Sequence, residues 1–258
     1  MTFSSSFGRV FSPTFQPKSQ AVGGGFLPTD IANCKLWVDF SDANTLFTDA
    51  GSTKVSNNGD LIYQANDKSG NNYHLTQSTS AKRPTYTTAQ QNGLSTALVC
   101  GTNYKLLLAP DTLRNLLTTT VTIIAVFKGG GDIIGTKYYT ANEFRYYWYT
   151  GYKFRFNWGT KVPLDTTGAD TANYAVKCAV WNSAASALNL YTNSAADGSS
   201  SVTANYSLAG NSTNSLKIGS IDSNIASYLG EIIIYTAALS SGNLASLHTY
   251  LNDKWAIY

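Results

Sequence analysis

From residue 31 onward, short apolar runs are separated by clusters of Gly, Asn, Ser and Asp. Leu36-Trp37-Val38-Asp39-Phe40 alternates, Val121 to Phe127 is almost continuously apolar, and Val176-Lys177-Cys178-Ala179-Val180-Trp181 follows the same scheme. Leu188-Asn189-Leu190-Tyr191, Leu216-Lys217-Ile218 and Glu231 to Tyr235 complete the series. Short runs of this kind, bounded by turn formers, predict many strands in a sandwich or barrel rather than strands alternating with helices. One helix stands out, in SSGNLASLHTYLNDKWAIY. Leu244, Leu247, Leu251 and Trp255 recur at helical spacing, and Ser240 or Ser241 is placed to cap the start. It is expected to pack as a C-terminal lid, with His248 an ordinary residue of its surface or of the lid.

The stretch EFRYYWYTGYKFRFNW, residues 143 to 158, reads as a hairpin turning at Thr150-Gly151. A two-residue loop would pair Trp148 with Lys153 and Tyr146 with Arg155, mixing apolar and charged residues on both faces. A three-residue loop, Thr150-Gly151-Tyr152, segregates them instead. Phe144, Tyr146, Trp148, Phe154, Phe156 and Trp158 then share one face. Arg145, Tyr147, Tyr149, Lys153, Arg155 and Asn157 share the other, and this polar, aromatic and basic face is the candidate ligand-binding surface. Aromatic planes and fixed donors suit sugar rings and hydroxyls.

Residues 1 to 30 differ from the rest: Ser and Gly with isolated aromatics, and a Gly23-Gly24-Gly25 hinge. They cannot bury a core of their own. Phe3, Phe7, Val10, Phe11 and Phe15 are nevertheless too apolar for a plain spacer. The division expected is therefore an extended arm over residues 1–30 and one domain over 31–258, the arm either packing on its own domain or docking on another chain through Phe7, Arg9, Phe11 and Phe15.

Composition narrows the classes. Only 13% of the 258 residues are charged, and the net charge of +3 is scattered, so no electrostatic footprint for nucleic acid is present. Cys34, Cys100 and Cys178 make an odd count, with Cys34 and Cys178 inside apolar runs, which reads as buried free thiols and assembly in a reducing cytoplasm. No run approaches the length of a membrane span, and MTFSSSFGRV lacks a signal-peptide core, so no membrane insertion is expected.

Catalytic parts are few. His74 and His248 are the only histidines and the cysteines have no metal-ligand spacing, so neither a His-based nucleophile nor a zinc site is expected. Gly129-Gly130-Gly131 lacks the ending of a phosphate-binding loop. Glu143 and Glu231 are the only glutamates, and Asp39 and Asp42 are expected on opposite faces or on a loop, so no carboxylate pair for glycoside hydrolysis emerges. No catalytic residue and no metal ligand is assigned. Asp39, Asp42, Asn44, Asp49, Asp60, Asp67, Asn71 and Asn72 are oxygen donors of the kind calcium prefers; without an Asp-x-Asp-x-Asp-Gly loop they read first as turn formers, and no cofactor is expected. In DKSGNNYHLTQSTSAKRPTY, Asp67 is expected to cap the Ser69-Gly70-Asn71 turn.

Two stretches carry a likeness. KLWVDFSDANTL with ANDKSGNNYHLTQSTSAKRPTY, and IGSIDSNIASYLGEIIIYTAALSSGNLASLHTYLNDKWAI, resemble the two signatures of a laminin-G-like, concanavalin A-like lectin domain of the type found in phage and bacterial surface proteins. The resemblance rests on Trp37, Asp39, Ser41 and Asp42; on Asp67 to Asn71 with Arg83-Pro84; and on Gly230, Glu231, Ile232, Tyr235 and Leu239. It implies an all-β, two-sheet antiparallel jelly-roll sandwich with a short C-terminal helix. The Glu-x-Asp-x-x-Glu strand of enzymes on related sandwiches is missing, so the resemblance implies binding rather than hydrolysis. SSSFGRVFSPTFQPKSQA is similar to segments that fasten phage accessory proteins to a particle. Together these imply a non-enzymatic virion-surface protein, oligomeric on the particle, whose arm docks on capsid or tail proteins and whose head meets host-surface glycan. A purely structural decoration protein is the alternative, and a polysaccharide-degrading enzyme a more distant one.

Overall fold

The structure, a computed structural model, describes residues 25–136, 144–149, 153–158, 161–167, 172–201, 214–221 and 223–258; of Trp148, Tyr149, Phe154, Asn157, Trp158 and residues 161–163 only the backbone is described. The arm residues Phe3, Phe7, Arg9, Val10, Phe11 and Phe15, the hairpin loop 150–152 and Glu143 lie outside the described residues.

Two antiparallel sheets form. The first runs Ala195–Ser201, Ala187–Thr192, Ala175–Asn182, Thr120–Gly129, Ser227–Tyr235, Leu94–Val99 and Thr85–Gln91, with Cys34–Asp39 also paired to Ser227–Tyr235. The second runs Lys161–Asp165, Lys153–Trp158, Phe144–Tyr149, Asp132–Gly135, Lys217–Gly219, Leu106–Leu108, Leu75–Thr76, Gln64–Ala65 and Leu46–Phe47. Alternate residues of both sheets meet in one core containing Leu36, Val38, Phe127, Phe144, Tyr146, Phe156, Leu229 and Ile234. The all-β two-sheet sandwich is thus the architecture adopted.

The first sheet is covered on its outer face as well. The helix Ser241–Trp255 lays Leu244, Leu247, Leu251 and Trp255 over Trp37, Ile124, Val126, Cys178, Ile233 and Tyr235. Burial on both faces is why Val121 to Phe127 and Val176 to Trp181 read as nearly continuous apolar runs rather than clean alternations. Ser240 caps the helix by accepting from Asn243 N, and Ala256 ends it in the left-handed conformation. Gln91, the last residue of its strand, and Asn92, in the turn that follows, donate to the carbonyls of Lys254, Trp255 and Ala256 and so satisfy the helix's last acceptors.

Residues 26–30 of the segment read as arm lie on this body. Pro28–Asp30 forms a single 3₁₀ turn, Pro28 O accepts from the Tyr235 hydroxyl at 2.8 Å, and Phe26 packs beside the helix. The hairpin adopts the segregating register, with Phe144 opposite Trp158, Tyr146 opposite Phe156, and Tyr149 opposite Lys153.

Candidate functional site: a cleft on the C-terminal helix and the charged cluster beneath it

The Asp67–Tyr73 loop acts as a substitute strand. Cys34–Asp39 pairs along one edge with Ser227–Tyr235, leaving the Trp37 amide and carbonyl on the other edge unpaired by sheet. Asp67 Oδ1 accepts from Trp37 N at 3.0 Å, and Lys68 N donates to Trp37 O at 2.7 Å. The same Asp67 carboxylate accepts from Ser69 N, Ser69 Oγ and Tyr73 N, so it closes the turn as expected of it. His74 is drawn into this loop, its Nδ1 accepting from Asp67 N. Asp42, Asp49 and Asp60 likewise accept from backbone amides two to four residues away. Arg83 is structural too, donating to the carbonyls of Gln77 and Ser78.

Turning the loop this way brings Lys68 to Asp39, one half of a carboxylate pair that the sequence did not reveal. A carboxylate pair does exist: Asp39 lies directly opposite Glu231 on the neighbouring strand. Strand alternation hides it, because Leu229 points into the core and Glu231, two residues on, should follow. A bulge between Leu229 and Glu231 inserts one extra residue and turns Glu231 to the helix side, together with Ile233 and Tyr235. Gly230 occupies the bulge because the Trp255 ring fills the space: a Cβ there would lie 2.7 Å from Trp255 Cη2.

The pair is fully engaged. Glu231 Oε1 accepts from Trp37 Nε1 at 2.6 Å and from the Tyr250 hydroxyl at 2.9 Å; Oε2 accepts from Lys254 Nζ at 2.8 Å and Trp255 Nε1 at 3.0 Å. Asp39 Oδ1 accepts from Ser41 N at 3.0 Å and Ser41 Oγ at 2.6 Å, and Oδ2 meets Lys254 Nζ at 2.7 Å and Lys68 Nζ at 3.2 Å. Lys68 also binds Asp42 at 2.9 Å. Burial raises the pKa of Asp39, but Lys254 and Lys68 outweigh it and hold the carboxyl below its usual range. Burial, followed by the Glu231 charge, pushes the Tyr250 hydroxyl far above the usual phenol range. Glu231 is wholly buried, so this pair does not present the accessible flanking geometry that glycoside hydrolysis needs.

Above the cluster, between the helix and residues 25–26, lies a cleft of about 680 Å³. Phe26 and Tyr250 form its aromatic wall, their rings edge to face at 6.1 Å. Ser246, Thr249 and Asp253 supply hydroxyls and a carboxylate on exposed turns of the helix. A smaller pocket of about 270 Å³ lies on the other side of Thr249 and Asp253, against Ser194, His248, Asn252 and Tyr258. His248 is not a surface residue. It is 3% exposed, with Nδ1 accepting from Ser194 N and Nε2 without a hydrogen-bond partner among the described residues, and burial lowers its pKa to about 4.

The hairpin face is organised differently from the sequence reading. Arg145 and Tyr147 are interior, 6% and 3% exposed. Arg145 binds Asp132 through Nε at 2.6 Å and stacks its guanidinium 4.2 Å over the Tyr147 ring. The physical reason is the segment at Ile221, whose amide donates to the same Asp132 carboxylate and whose side chain lies over Gly135, the residue opposite Arg145. Arg155 makes a two-pronged ion pair with Asp165, at 2.5 and 2.8 Å. Lys153 is half-buried, and the side chains of Tyr149 and Asn157 are outside the described residues. Alternation along the strands was legible; that a loop from far along the chain covers part of this face was not.

No family model matches the chain, and no curated protein matches it by sequence. Solved structures do share its fold. The binding domain of Paraclostridial Mosquitocidal Protein 1 superposes with a TM-score of 0.59 at 14% identity, over 87% of this chain and 53% of that one. Domain 4 of AbnA, a GH43 extracellular arabinanase from Geobacillus stearothermophilus determined in complex with arabinotriose, gives 0.57 at 12% identity over 84% of this chain and 98% of that one. The binding domain of botulinum neurotoxin serotype D gives 0.54 at 10% identity, over 84% of this chain and 51% of that one. The chain therefore spans about half the length of the mosquitocidal-protein and neurotoxin binding-domain structures and nearly the whole of the arabinanase domain. What it shares with all three is the antiparallel two-sheet sandwich.

Proposed function

We propose that this protein is a non-enzymatic carbohydrate-binding module, joined through residues 1–24 to a phage or viral particle, that presents the sandwich to surface glycans. The cleft beside the helix carries the reading. Its volume suits a short oligosaccharide, its Phe26–Tyr250 wall offers apolar faces for sugar rings, and Ser246, Thr249 and Asp253 offer hydroxyl and carboxylate partners for sugar hydroxyls. The sandwich is also the fold of an arabinanase domain determined with arabinotriose and of the binding domains of a mosquitocidal protein and a botulinum neurotoxin, which favours binding by analogy of fold. The virion placement rests on the likeness of the first residues to particle-fastening segments.

A glycan array probed with the full chain tests the first part. Retention of a glycan class that falls at least tenfold in Phe26→Ala and Asp253→Asn, with both variants folded, is the expected outcome. A blank array, with the protein still sedimenting with particles, would leave a purely structural decoration role. Deleting residues 1–24 should abolish that co-sedimentation; particles decorated as before would remove the arm from the reading. Turnover of polysaccharide by the wild-type chain would overturn the non-enzymatic assignment.

A further inference from the structure

We propose that Lys254 and Asp39 are poised to condense into an intramolecular isopeptide bond, with Glu231 carrying the proton. The arrangement holds each part that amide formation requires. The nucleophile, Lys254 Nζ, lies 2.7 Å from Asp39 Oδ2 and 2.8 Å from Glu231 Oε2. The acceptor carboxylate is oriented: Ser41 N and Ser41 Oγ donate to Asp39 Oδ1, as an oxyanion hole donates to a developing tetrahedral intermediate. Lys68 Nζ sits on the opposite oxygen, Oδ2, where the leaving hydroxyl departs. Glu231, wholly buried, is fixed by Trp37 Nε1, the Tyr250 hydroxyl and Trp255 Nε1, which hold its carboxylate in place beside the amine.

The step balances without any co-reactant. One proton crosses from the Lys254 ammonium to Asp39 Oδ2, turning an ion pair into an amine and a neutral acid, and the amine attacks Cγ. Negative charge gathers on Oδ1 under the two Ser41 donors. Glu231 Oε2 takes a second proton from Nζ and returns it to the Oδ2 hydroxyl; the C–Oδ2 bond breaks, the C–N bond remains, and one water leaves. Lys68 keeps its charge throughout. The product ties the first strand of the sandwich to the last turn of the C-terminal helix.

The intact mass of the folded full-length chain, measured after denaturation, decides the matter. The expected result is a deficit of one water, about 18 Da, relative to the sequence. Digestion should then yield one branched species joining the Asp39 and Lys254 peptides. Lys254→Arg, which keeps a cation at the site but cannot form this amide, should fold and show the full sequence mass. Glu231→Gln, where it folds, should show the deficit at least tenfold more slowly. A folded wild-type chain that stays at full sequence mass on prolonged incubation would mean that the contact is an ordinary ion pair and would overturn the proposal. So would a deficit of one water that maps to other residues.

Discussion

Asp39 and Glu231, far apart in sequence, face each other across two adjacent antiparallel strands, and a single amine, Lys254 Nζ, binds both carboxylates. This relationship joins the first strand of the sandwich, the strand at the sheet's centre and the C-terminal helix. It also gives Trp37, Tyr250 and Trp255 a shared acceptor. Removing Glu231 would strand the cation and three buried or half-buried donors. Glu231→Ala is therefore expected to cost about 3–5 kcal/mol of folding stability, against changes within about 0.5 kcal/mol for the exposed Asp253→Asn. Urea unfolding of the two variants beside the wild type checks the contrast.

Gly230 and Trp255 form the packing counterpart of that network. A methyl group at Gly230 would collide with the indole, so Gly230→Ala is expected to destabilise by about 1–3 kcal/mol, and Trp255→Ala by about 3–5 kcal/mol through the cavity it leaves. Because the clash needs the ring, the double variant should be less damaged than the sum of the two. An additive result in a double-mutant cycle would show that Gly230 is required for the bulge alone.

Acid should act on His248. Its ordinary pKa of 6.5 is lowered by burial to about 4, so the unfolded chain binds the proton more readily than the folded one. Stability from this residue is complete above pH 6.5 and is lost as pH falls toward 4. Protonating Nδ1 would also remove the acceptor for Ser194 N. Urea midpoints measured from pH 7.5 to 4 should fall more steeply for the wild type than for His248→Gln; parallel curves would show that the imidazole is not linked to folding.

The three thiols should be inert while the chain is folded. All are free and buried. Burial, with the nearby Asp67 charge adding to it, pushes Cys34 up to about 12, and burial raises Cys100 and Cys178 as well. A thiol reagent at neutral pH should leave the native chain unlabelled and label three positions after denaturation. Rapid labelling of the native chain would place a cysteine at the surface.

Arg145 illustrates how far sequence reading reached. Alternation correctly separated Phe144 and Tyr146 from Arg145 and Tyr147, and the three-residue loop correctly set Tyr149 opposite Lys153. Alternation names a face but not what lies on it. The segment at Ile221 covers Arg145, Asp132 neutralises it, and a face drawn as open and basic proves partly interior. His248 shows the same limit on the helix, where the spacing that marked Leu244, Leu247, Leu251 and Trp255 does not show that the polar residue beside Leu247 is also turned inward.

The sequence alone determined several of the strands, among them those at Leu36, Val121 to Phe127, Val176 to Trp181 and Glu231 to Tyr235, the helix with Ser240 or Ser241 as its cap, the hairpin register and the Asp67 turn. Each depends on side-chain periodicity or on hydrogen bonds between residues close along the chain, and such signals are written locally. Only the tertiary structure decided the pairing of Asp39 with Glu231, the placing of Lys68 and Lys254 on them, and the cleft between Phe26 and Tyr250. These join positions from opposite ends of the chain, and a one-residue bulge at Gly230 reverses which side Glu231 faces. Strand alternation carries no mark of that reversal; the indole packed above Gly230 requires only that the bulged residue lack a Cβ.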